Sequence, residues 1–100
     1  DVALETESGE LLDMGTPFDF LAEDSSSQKN PAHRDYIHLK DYIKKNRTIL
    51  TGCMMKASES LNRPLLPLPQ EWWDFRLPSS IYERYAPLRD SDLPPEMRML

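Results

Sequence analysis

The sequence predicts a mostly α chain with extensive irregular structure, in which one long central helix lies between an acidic extended N-terminal arm and a proline- and aromatic-rich C-terminal arm. Three observations carry this expectation. The 100 residues fall into blocks of opposite charge, an apolar stripe of helical spacing lies within the basic block, and seven of the nine prolines follow it. The blocks are residues 1–28, 29–63 and 64–100, and together they make at most one domain.

The first block holds eight acids (Asp1, Glu5, Glu7, Glu10, Asp13, Asp19, Glu23 and Asp24) and no base. Its apolar residues form two small clusters, Leu11-Leu12-Asp13-Met14 and Phe18-Asp19-Phe20-Leu21, with Gly15 and Pro17 between them. No helical or strand period is sustained, so an extended arm is expected. Carboxylates would steer it to a basic surface while Phe18, Phe20 and Leu21 enter apolar pockets. A solvated acidic tail is the simpler alternative.

The second block is the strongest structural expectation. Asn30 suits an N-cap and Pro31 a first helical position, where its missing N–H costs nothing. Tyr36, Leu39, Ile43, Leu50, Cys53, Met54, Ala57 and Leu61 then recur mostly at spacings of three, four or seven, with a slip at Asn46 and Arg47. A helix over residues 31–61 is therefore expected, either continuous or broken near Asn46. Asn62 can terminate it and Pro64 forbids its continuation. Gly52 is its weak point.

In the third block, Leu65-Leu66-Pro67-Leu68-Pro69 should be extended or polyproline-like, because each proline also biases its predecessor away from the α region. A sheet is not expected here. Ser80 and Glu83 match a capping box ahead of a short helical turn through Tyr85, ended by Pro87. Asp92 could cap a further turn that holds Pro94 and Pro95 and runs towards Leu100. The chain therefore reads as cut at its C-terminal end, and its acidic start as a processed or cut N-terminus.

Little here points to catalysis. His33, His38 and Cys53 lack the spacing of a zinc set, and three glycines form no phosphate-cradling loop. Plentiful carboxylates have no evident dry pocket in which to shift their pKa. No cofactor is expected, and the chain reads as non-enzymatic. The Asn46-Arg47-Thr48 sequon falls within the expected helix and reads as chance.

Binding is the better expectation. Leu, Ile, Val and Phe together number 22 residues, close to the level of about 20% below which a chain cannot support a core, so a larger partner is expected to complete the fold. The helix stripe of Tyr36, Leu39, Ile43, Leu50, Met54 and Leu61 would occupy a groove of that partner. Trp72, Trp73 and Phe75, beside Arg76, are residue types that dominate binding hot spots, although they could equally fold back as a small local core.

Nucleic acid is the alternative partner. Lys40, Lys44, Lys45 and Arg47 could line a basic strip that contacts phosphates, with the Trp pair stacking on unpaired bases. Against this, the net charge is −5 and the acidic arm competes for the same strip.

Residues 49–67, a helix bearing small residues that runs into Asn62-Arg63-Pro64-Leu65-Leu66-Pro67, are similar to the helix-then-proline-leucine passage of omega-type RNA polymerase assembly subunits. The likeness covers under a fifth of the chain and ends where the Trp-rich stretch begins, so it assigns no family.

The expected role is thus a small subunit or adaptor that wraps and stabilises a multi-subunit assembly. A lone cysteine and the absence of a basic signal or membrane-length apolar run favour an intracellular, reducing compartment over secretion. A homo-oligomer is not expected.

Overall fold

In the computed structural model, which describes residues 1–99, the first long element is helix α1, Asp41–Ser60. It is followed by strands β1, Leu66–Pro67, and β2, Phe75–Arg76, by the short helix α2, Ser79–Tyr82, and by single 3-10 turns at Asp90–Asp92 and Pro95–Met97. The chain is therefore mostly irregular around one long helix, and less helical than expected.

α1 starts ten residues later than the Asn30-Pro31 signature predicts. The Asn30 side chain makes a local turn, its Oδ1 accepting from the Ala32 N–H at 3.0 Å, while its amide donates to Gln70 O at 3.0 Å. The Arg34 N–H donates to Pro69 O and the Ile37 N–H to Ser27 O, so this segment directs its backbone bonds sideways to other strands of chain. Residues 31–40 are consequently a succession of turns. From Asp41 the helix is unbroken through Asn46, Arg47 and Gly52.

Its end is where the sequence places it. Asn62 takes a left-handed conformation, φ 51°, and the Arg63 N–H donates to Ser58 O and the Asn62 N–H to Glu59 O. This is a Schellman motif, which satisfies carbonyls that a helix end leaves without partners. Ser58 is buried, and its hydroxyl donates to Met55 O while accepting the Leu65 N–H, which steers the returning chain along the helix.

The returning chain does form a small sheet, contrary to expectation. β1 and β2 pair antiparallel in the register Leu66↔Arg76 and Pro67↔Phe75, extended by the Leu68 N–H on Asp74 O. Both strands are edges, where a proline without an N–H is tolerated. The residues between them carry Trp72 and Trp73 into the core.

That core is Met14, Ala32, Leu50, Trp72 and Trp73, with Val2, Ala3, Leu4, Met54 and Phe75 packed against it. The two indoles are perpendicular, with ring centroids 5.3 Å apart, and Phe18 stacks on Trp72 at 5.5 Å. Trp72 Nε1–H donates to Thr16 Oγ1 at 2.7 Å, so the polar edge of the indole is satisfied inside.

Residues 1–28 do not make an extended arm. The Val2 N–H donates to Trp73 O and the Leu12 N–H to Leu4 O, and between them a narrow turn brings Glu5 opposite Leu11. Met14 is buried. The acids stay exposed, while Val2, Ala3, Leu4 and Met14 of the same segment join the core.

The C-terminal stretch holds helical turns close to where they are expected, but Pro78 rather than Ser80 precedes α2. Asp92 accepts from the Arg89 N–H, and Pro95 opens the last turn after Pro94. The expected continuation at Leu100 lies outside the described residues.

Candidate functional site

The buried face of α1 runs through Ile43, Arg47, Leu50 and Ser58, with Met54 half-buried beside them. The expected stripe is correct at Ile43, Leu50 and Met54. Cys53 and Ala57 turn outwards, and Leu61, past the helix end, is 72% exposed. The slip at Arg47 marks a cation set into the buried face.

Arg47 ties three segments together. Its Nε donates to Met14 O at 2.9 Å, Nη1 to His33 O at 3.1 Å and Nη2 to Pro31 O at 2.7 Å. Arg34, reaching α1 from the turns before it, does the same, with Nε on Leu68 O, Nη2 on Asp74 O and Nη1 on Thr51 Oγ1. Its guanidinium carbon also lies 4.6 Å from the centre of the Phe75 ring. Burial, reinforced by the neighbouring Arg34 charge, brings the Arg47 pKa down to about 10. Burial lowers that of Arg34 too, against the opposing pull of Asp74 and Asp35.

The sequence reads Arg47 as a possible phosphate contact on a basic strip and gives Arg34 no role. What marks Arg47 is its position three and four residues from Leu50 and Ile43, on the apolar stripe itself. Arg34 carries no comparable sequence signal.

Between the turns before α1 and the helix lies a groove of about 520 Å³. Arg34, Lys44, Arg47, Thr51 and Pro67 line it, with Asp35, Leu39 and the bare Cα of Gly52 completing the walls. Among the described residues, no carboxylate comes within 4.0 Å of Arg34, Lys44 or Arg47; the two ion pairs found are Lys29–Asp24 and Arg76–Asp74. No group of three or more His, Cys, Asp or Glu there could hold a metal ion.

The remaining residues expected to bind partners divide by exposure. Ile43, Leu50, Trp72 and Trp73 are buried, and Tyr36, Leu39, Met54 and Phe75 are half-buried. Phe18 leaves one side open, and Phe20, Leu21 and Leu61 are exposed. Of the basic strip, Lys40, Lys44 and Lys45 remain exposed, whereas Arg47 is enclosed.

The last quarter of the chain also carries exposed apolar side chains for which the sequence pattern gives no binding role. Tyr85 is 70%, Leu88 78% and Met99 92% exposed, and Tyr82 and Met97 join them. Frequent prolines deprive these residues of any period, so no pattern sets them apart. The backbone N–H groups of Tyr82, Tyr85, Leu93, Met97 and Arg98 donate to carbonyls only three or four positions before them. No helix of the described chain is long and apolar enough to cross a membrane. Comparison with protein-family models, curated proteins and solved structures finds no match.

Proposed function

We propose that this chain is a non-enzymatic small subunit or adaptor that docks onto and stabilises a larger protein assembly. The observation that supports it is the apolar C-terminal stretch, where Tyr82, Tyr85, Leu88, Met97 and Met99 stay exposed on turns closed by short-range backbone bonds such as the Tyr85 N–H on Tyr82 O. Exposed apolar groups gathered in this way mark interaction surfaces. Two aromatic rings among them suit anchors that bury much area for few lost rotamers.

In this reading the body formed by residues 2–76 holds its own shape through the Trp pair and the two arginines. The C-terminal stretch then orders against the partner, with Phe20, Leu21 and Leu61 as further apolar contacts. The helix stripe serves the body's own core. A nucleic-acid role has less support, because both indoles are buried and cannot stack on bases, leaving Lys40, Lys44 and Lys45 as phosphate contacts. A reducing intracellular compartment suits an adaptor with the exposed thiol of Cys53.

The test is affinity capture with the full chain and with Tyr85→Ser/Leu88→Ser. The double variant should unfold at the same urea concentration and lose a defined set of polypeptides that the original chain retains. Capture of the same set by both chains would refute the proposal.

A further inference from the structure

The groove between the turns before α1 and the helix is distinct from the apolar C-terminal stretch, and its chemistry points elsewhere. Arg34, Lys44 and Arg47 bring three cations to it, and Asp35 supplies one carboxylate. A protein with a net charge of −5 thus gathers positive charge in one concave place, where, among the described residues, no carboxylate lies within 4.0 Å of any of the three cations. Three carbonyls accept from the Arg47 guanidinium, and two carbonyls with the Thr51 hydroxyl accept from that of Arg34, so three donors on each are met by uncharged groups. An arginine side chain has five donors.

We propose that this groove binds a phosphomonoester whose ester group is a small apolar or aromatic body. Three cations against one carboxylate leave two net positive charges, matching a phosphomonoester, which carries about −1.5 to −2 at neutral pH. Guanidinium groups suit tetrahedral oxyanions because their paired N–H donors engage two oxygens at once. The Thr51 hydroxyl accepts from Arg34 Nη1, so its own proton remains to be donated to the anion. A groove of about 520 Å³ is much larger than a lone oxyanion. Leu39, Pro67 and Gly52 offer the remainder of that volume an apolar wall, the usual composition of small-molecule sites. The lowered pKa of Arg47 fits a charge with no counter-ion, and bound phosphate would raise it again.

Two substitutions probe the groove without removing either arginine that holds the fold. Lys44 is exposed, so Lys44→Ala removes charge alone. A Cβ at Gly52 would meet nothing within 4 Å, so Gly52→Leu starts from open space and adds bulk to the groove. The experiment is a titration of the full chain with phenyl phosphate, inorganic phosphate and benzoate, followed through backbone amide NMR shifts.

Saturable shifts at Lys44, Thr48 and Thr51 are expected with phenyl phosphate, and weaker binding of the other two. Lys44→Ala should weaken phenyl phosphate by about tenfold, the loss of one charge-assisted bond, and Gly52→Leu should abolish saturation while the remaining spectrum is preserved. A phosphotyrosine peptide that binds more tightly than phenyl phosphate would identify a phosphorylated protein as the source of the group, and equal binding a small phosphorylated metabolite. Absence of saturation, binding unaffected by Gly52→Leu, or inorganic phosphate binding as tightly as phenyl phosphate would each overturn the proposal.

Discussion

Arg47 does what no other side chain could do at its position, because its planar group presents donors in several directions to the carbonyls of Met14, Pro31 and His33. Lysine retains the charge but ends in a compact ammonium that cannot reach all three. We therefore expect Arg47→Lys to cost about as much as Arg47→Met, roughly 3 kcal/mol or more in urea unfolding, since either leaves buried carbonyls without donors. A near-silent Arg47→Lys would show that charge alone matters there. Gly15 faces the same guanidinium. Its φ is +89°, and an added Cβ would lie 3.2 Å from both Arg47 Nη2 and Ile43 Cγ2. Gly15→Ala should thus cost about 1–3 kcal/mol by backbone strain alone, with the steric contact in addition. Tyr42, nearby, donates to Asp13 Oδ2 at 3.2 Å, and this bond together with the carboxylate's charge raises its pKa above the ordinary tyrosine value. A raised folded value means that the contact contributes fully below the ordinary value and is lost as pH rises through the higher one. Asp13→Asn should bring Tyr42 back towards ordinary ionisation, as an NMR titration of its ring would record. None of these three roles is legible from the sequence, because each joins α1 to residues at least fourteen positions away, outside the reach of any local pattern.

The elements themselves were legible in proportion to how locally they are decided. The C-terminal end of α1 depends on Asn62 and Pro64, both adjacent to it, and Asn62 is left-handed as the sequence implies. At that position Asn62→Val should cost about 1–2 kcal/mol through the β-branched side chain's aversion to positive φ, while Asn62→Gly should be neutral. The start of α1 differs from the sequence expectation because Asn30 and Pro31 do make a turn, but one completed by carbonyls of Gln70 and Pro69, at least thirty-five positions later in the chain than the Asn30 and Arg34 groups they bind. The actual N-cap, Lys40, has extended backbone angles and makes no capping hydrogen bond through its side chain. Lys40→Asp would provide that bond and place a negative charge at the positive end of the helix dipole. A gain of about 0.5–2 kcal/mol is expected from the cap, visible as a higher urea midpoint. An unchanged midpoint would mean that the helix end is held by its neighbours rather than by its own first turn.

At the scale of the molecule, composition foretold a thin core and not its location. Few aliphatic residues are available, and the core that forms relies on two indoles, one methionine and the aliphatic face of α1, sealed by carbonyl-bound arginines. The acidic segment completes it through Val2, Leu4 and Met14, an outcome that charge counting obscures because these few apolar residues lie among eight acids. The C-terminal stretch adds length with little burial. The radius of gyration is 16.1 Å, against about 13 Å for a compact chain of 100 residues. Local opening is easiest where few buried apolar contacts must be broken. Amides of residues 78–99, whose bonds are short-range, should therefore exchange hydrogen with solvent well before those of Val2, Arg34 and Trp72, which donate to Trp73, Pro69 and Ala32 across the body. In native-state exchange, the late group should report the global unfolding free energy and the early group a much smaller one. Adding the docking partner should slow the early group alone. Uniform protection of both groups in the isolated chain would instead mean that the C-terminal turns belong to the same cooperative unit as the Trp pair, and the apolar surface would then lack the local freedom that ordering on a partner requires.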